Sequence, residues 1–121
     1  MRRKMLIVST LALCVIVLAG WCYIYWCRAI VVDEDLNGLV PEQVIARYGQ
    51  PNGRNVFILT DTLLEYRYGL LSIFPQYRDS SIEIMEMMWI DSSWTRAIWF
   101  RKDAERWKSV DNLWWARRIQ F

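Results

Sequence analysis

Residues 82–91 read IEIMEMMWID, and the period assigned to them decides what kind of domain the chain builds. Period two places Ile82, Ile84, Met88 and Ile90 on one face, interrupted by Glu86. Met85, Met87 and Trp89 then share the other face with Glu83. Three methionines would also suit a helix. The short length and the Asp91-Ser92-Ser93 turn signal favour a strand. A strand apolar on both faces suits a sheet covered by a helix on one side and by something else on the other, a partner being one candidate.

Downstream, Trp94 to Arg101 reads as the returning strand, with Ile98 and Phe100 facing one way and Ala97 and Trp99 the other. Lys102 to Glu105 supplies a charged turn and Arg106 to Asp111 a further strand. A short terminal strand is expected around Trp114 to Phe121. Leu113 and Trp115 there oppose Trp114, a pattern that a bulge would reconcile.

Upstream, Leu70 to Ser81 is too apolar at Leu70, Leu71, Ile73 and Phe74 for a free loop, while Pro75 discourages a central strand. The segment either covers one end of the core or forms a contact patch. Leu63 to Tyr68 alternates cleanly, with Leu64, Tyr66 and Tyr68 against Glu65 and Arg67, and predicts a strand ended by Gly69. Another strand is expected at Asn55 to Thr60, after a turn at Asn52-Gly53-Arg54. Residues 40–51, VPEQVIARYGQP, carry helix punctuation. Pro41 suits the first turn and Glu42 the positive end of the helix. Val44, Ile45 and Tyr48 make a narrow apolar stripe, Gly49 can take the left-handed closing position, and Pro51 prevents resumption. About two turns are marginal alone, so this helix must lie on the sheet.

Residues 5–27, MLIVSTLALCVIVLAGWCYIYWC, contain no charge. At about 1.5 Å per residue, a helix of this length crosses a hydrocarbon core of about 30 Å. Trp21, Tyr23, Tyr25 and Trp26 are the candidate membrane-interface residues, since amphipathic rings favour the headgroup layer. Arg2, Arg3 and Lys4 precede the run, which favours an inside N-terminus and sends the remainder outward. An uncleaved signal anchor is expected. The alternatives are cleavage before Gly20, lipidation of Cys22 and a buried helix of a soluble protein; Trp21 stands where lipidation needs a small residue.

The expected organisation is a basic cytoplasmic flank at 1–4, a transmembrane signal anchor at 5–27, a juxtamembrane linker with little structure at 28–38, and an extracytoplasmic domain at 39–121. The fold class is α+β: the transmembrane helix, then a short helix packed on a four- to five-stranded antiparallel meander.

The formal charge of +2 belongs to the flank, because residues from Arg28 onward hold twelve basic against thirteen acidic side chains. Such a balance excludes a phosphate-tracking nucleic-acid surface. Cys14, Cys22 and Cys27 all lie in the apolar run, so the outer domain has no internal disulfide and depends on apolar packing. Histidine is absent, which removes Ser-His and Cys-His catalysis and, with no thiolates at suitable spacing, the common zinc sites. Asp61 with Glu65, and Glu83 with Glu86, are the nearest acid pairs, and solvated strand faces explain them better than chemistry does. No enzyme and no cofactor is expected.

Gly38, Pro41, Glu42, Gln43, Val44, Gly49 and Pro51, followed by Glu65-Tyr66-Arg67-Tyr68, resemble the small envelope lipoproteins of the SmpA/OmlA (BamE-like) group. More distantly they are similar to the repeat of β-lactamase inhibitor proteins. The resemblance covers roughly residues 36–101 and implies a leading helical portion, a three-stranded antiparallel sheet and an interaction function. It also implies a bacterial cell envelope, and with the topology above an inner-membrane protein with a periplasmic domain.

Six of the eight tryptophans fall between residues 56 and 121, a surplus of large side chains for so small a core. One or two of Trp94, Trp114 and Trp115 are expected to be exposed. With Phe74 they are the candidate partner-binding residues. The partners expected are the bilayer and either another envelope protein or a second copy. A toxin-immunity or enzyme-inhibitor protein and a purely structural membrane protein are the competing functions.

Overall fold

The computed structural model describes residues 2–27 and 30–121, with the side chains of 2 and 25–27 outside the described set. Helix α1 (Arg2–Cys27) is exposed along its described length. It is long and apolar enough to cross a membrane. Ser9 and Thr10 donate their hydroxyls to the carbonyls of Met5 and Leu6, so neither leaves an unsatisfied polar group on the apolar surface.

The remainder is an open five-stranded sheet, antiparallel throughout. Its strands are β1 (Ile30–Val31), β2 (Gly53–Ile58), β3 (Glu83–Ile90), β4 (Trp94–Asp103) and β5 (Arg106–Ala116), in the spatial order β1-β5-β4-β3-β2. The last four form the expected meander, and β1 closes onto its far edge.

Both faces of β3 are buried, as its double apolar pattern requires. On one face Ile84 packs with Ala97, Trp99 and Trp115; on the other Met85 and Met87 pack with Ile98 and Phe100. The second face is covered by α2 (Pro41–Tyr48), which buries Pro41 and Val44. Gln43 reaches back to accept the Val40 N–H at 3.1 Å, and Gly49 leaves the helix at a φ of 82°.

The first face is covered from within the chain by residues 59–82, so no partner is needed there. Here the structure departs from the sequence pattern. Leu63 to Tyr68 is not a strand: a 3-10 turn at Glu65–Arg67 leads into the short helix α3 (Gly69–Ile73), so Gly69 opens a helix instead of ending a strand. The cause is Glu86, which points into this face and is only 3% exposed. Its counter-charge comes from Arg67, whose Nε and Nη2 donate to the two carboxylate oxygens at 2.8 Å each. Trp99 Nε1 adds a bond at 2.8 Å, and Tyr66 stacks over Trp99 at 6.3 Å. Had 63–68 extended the sheet beyond β2, Arg67 would have been carried away from the carboxylate. Glu86 is therefore a buried ion-pair partner and not part of a solvated acidic face.

Three further boundaries differ. The first expected strand lies two residues earlier, at Gly53–Ile58. The two C-terminal strands are one, with a register shift opposite Trp99/Phe100 that leaves Val110 without a Cα partner; it lies before Leu113, so Leu113 and Trp115 stay on the face covered by residues 59–82 and Trp114 on the α2 face, both of which are covered. The hairpin joining β4 to β5 turns through Ala104 and Glu105, both at positive φ.

The linker, finally, is structured where it is described. Ile30 and Val31 pair with Trp115 and Trp114, and Leu36 is fully buried. Asn112, also fully buried, accepts the Asp33 N–H at 3.0 Å and donates to the Asp33 carbonyl at 2.6 Å. One side-chain amide thus prolongs the β1–β5 ladder.

Next to it, Asp111 is half-buried and desolvation raises its carboxyl above the ordinary range, opposed by a backbone hydrogen bond at Asn112. A raised folded pKa means that this carboxyl's contribution to stability is complete below the unfolded value and is lost as pH rises through the folded one. Asp111→Asn should therefore raise the Tm at neutral pH by a few degrees. The gain should vanish below about pH 4, where Asp111 is protonated in both states; thermal melts at the two pH values check this.

Candidate functional site

Two surfaces among the described residues are candidates. The first is a groove of about 340 Å³ on the α2 face, beyond the C-terminal end of that helix, where β3 ends and β4 begins. Tyr48 from the last turn of α2, Trp89 from β3, Trp94 and Arg96 from β4 and Trp114 from β5 line it, with Asp91 at the turn. Local geometry holds these residues. Trp89 Nε1 donates to the Gly49 carbonyl at 3.0 Å, tying the helix end to the sheet. Tyr48 meets both Trp89 and Trp114 edge-on, each at 6.1 Å between centroids.

Arg96 is the unusual member. It is 8% exposed, and its guanidinium lies 3.5 Å from the Tyr48 ring centroid and 2.9 Å from that of Trp114, its cross-strand neighbour. None of the ion pairs among the described residues involves it. Burial pulls its pKa down to about 10, opposed by Tyr48, Asp33 and Asp91, so it stays a cation at neutral pH. Beside it, Trp114 Nε1 is a buried donor with no hydrogen-bond partner, an arrangement that costs about 1–3 kcal/mol. Asp91 is exposed; its carboxylate accepts the Ser93 and Trp94 N–H groups at 2.8 and 2.6 Å, which lowers its pKa.

The second surface is the outer edge of β2. Leu59 N–H bonds to the Ile82 carbonyl, and Phe57 pairs with Ile84, so the alternation of an antiparallel ladder turns the N–H and C=O groups of Arg54, Val56 and Ile58 away from β3. No further strand lies beyond them among the described residues. Val56 and Ile58 are 48% and 55% exposed.

Of the residues singled out from sequence, Trp94 and Trp114 meet in the groove, both half-buried instead of freely exposed. Trp115 is 7% exposed and packs against Tyr66 and Phe121; Phe74 is 5% exposed in the same core, so neither offers a free contact. Trp21 and Tyr23 are exposed on α1, whereas the side chains of Tyr25 and Trp26, and Arg28 altogether, lie outside the described residues. Arg96, Tyr48 and Trp89 were not singled out. The legible signal was a charge at Arg96 in the alternating series Trp94, Ile98, Phe100.

Comparison with protein-family models, with characterised proteins and with solved structures gave no match.

Proposed function

We propose that this chain is a single-pass membrane protein, anchored by α1, whose remaining domain captures an extended segment of a partner along the free edge of β2. The observation that carries this reading is the unguarded edge. Sheet edges are ordinarily blunted by proline, bulges or inward charges. β2 has none of these over Val56, Phe57 and Ile58, and its apolar side chains are exposed beside unpaired backbone groups. An added strand would satisfy those groups and bury Val56 and Ile58.

The basic residues Arg2, Arg3 and Lys4 at the start of α1 support an inside N-terminus, which leaves the domain on the outer, periplasmic side of a bacterial inner membrane. The residues that resemble the BamE-like group support a role in envelope assembly or stability.

Val56→Pro tests the edge. The lost N–H points outward, so the β2–β3 ladder is spared while strand addition is blocked. Recovery of a partner from detergent-solubilised membranes, read by mass spectrometry, should fall at least about tenfold, with the Tm within a few degrees of wild type. Undiminished recovery would show that β2 is not the docking edge. Recovery of no other protein with the wild-type chain would count against capture of a partner.

A further inference from the structure

The Arg96 groove sits at the end of the sheet where the chain arrives from α1. Ile30 lies opposite Trp115 and Val31 opposite Trp114, so the chain enters from the Ala116 end of β5, beside Trp94 of β4. Three peptide units separate Cys27 from Ile30, a reach of at most about 10 Å. With α1 embedded, this end of the domain is held against the headgroup layer of the leaflet that α1 meets at Cys27.

The groove's chemistry matches what it would find there. Arg96 is a buried cation with no carboxylate in ion-pair contact. Trp114 Nε1 is a donor lacking an acceptor. Asp91 is an exposed anion on the same groove, and Trp89 and Trp94 add aromatic walls. A simple anion would answer Arg96 but oppose Asp91; a zwitterion carrying phosphate and a primary ammonium answers both, because the ammonium N–H groups can donate to the Asp91 carboxylate, which a quaternary ammonium cannot do. A volume of about 340 Å³ is in the range of small-ligand sites.

We infer that the groove seats the headgroup of an aminophospholipid from the anchoring leaflet, its phosphate on Arg96 and its ammonium on Asp91 and the tryptophan walls. This rests on the membrane reading proposed above. The site would fix the orientation of the domain on the bilayer and so aim the β2 edge.

The test uses the full chain in detergent, titrated with phosphatidylethanolamine, phosphatidylglycerol or phosphatidylcholine and read by native mass spectrometry. Phosphatidylethanolamine should be retained about tenfold better than the other two, and Arg96→Gln and Asp91→Asn should each remove that preference. Asparagine can still accept the Ser93 and Trp94 N–H groups, so Asp91→Asn keeps the turn and remains informative even where Arg96→Gln lowers the Tm. Equal retention of the three lipids, or preference for phosphatidylglycerol, would overturn the inference. So would displacement of the lipid by soluble O-phosphoethanolamine at equal concentration, or a co-purifying acidic peptide in its place. Carbonate washing of membranes separates the two readings: release of the chain would remove the anchor itself, whereas retention without a lipid preference would defeat only this site.

Discussion

Arg67→Ala should lower the stability of the domain by about 3–5 kcal/mol, because it leaves a buried carboxylate without its counter-charge. Glu86 is 3% exposed and takes both of its short Arg67 bonds from a residue that arrives on the 59–82 cover. Alanine also removes the guanidinium that lies 4.0 Å over the Phe57 ring. In a domain of this size the loss corresponds to a fall in Tm of about 12 °C or more, measurable by thermal or urea melts. Replacing both partners by apolar residues, as in Arg67→Met with Glu86→Leu, should recover most of it, since a buried ion pair seldom outperforms packing of the same volume. The recovery will be incomplete: Trp99 Nε1 and Tyr66 Oη also bond to Glu86 and would lose their acceptor. Equal destabilisation by the single and double variants would mean that Arg67 contributes packing alone.

The second large effect concerns α1. Leu11→Lys with Val15→Lys places two charges on exposed apolar positions near the middle of the helix, each costing about 2.5–3.5 kcal/mol to insert. Together they should move the chain from the membrane pellet, where release requires detergent, to the carbonate-soluble fraction. Wild-type chain recovered in the soluble fraction without detergent would defeat the anchor. A mature chain beginning at Gly20 would show that the segment is a cleaved leader instead. Neither outcome touches the Arg67 experiment, which reads the domain alone.

The elements that were legible beforehand are those specified by neighbours along the chain. Pro41, Glu42 and Gly49 bracket α2 because capping and helix-dipole effects act within one turn. β3 and β4 were assignable to within two residues and to the face, because an apolar run alternating on both sides suits a doubly covered sheet. Residues 63–68 misled for a related reason. Alternation of Leu64, Tyr66 and Tyr68 describes a strand, yet only Tyr66 turns inward, while Leu64 and Tyr68 are exposed. What overrode period two was a charge nineteen positions away at Glu86, which no local window contains.

The same division holds for the surfaces. Tryptophan surplus led to the expectation that one or two of Trp94, Trp114 and Trp115 would stand exposed; Trp94 and Trp114 instead meet half-buried in the groove. That Trp115 is core, that Arg96 is clamped between Tyr48 and Trp114, and that Asn112 stitches the linker to β5 were decided by cross-strand register, and Phe74 is core because the 59–82 segment folds over that face. Local propensity, capping and hydrophobic period act over a few residues, and they were enough for the apolar helix, α2 and the two-faced sheet. Pairing a buried charge and choosing which aromatic faces solvent depend on groups that only the folded chain brings within a few ångströms, so those features belong to the tertiary structure.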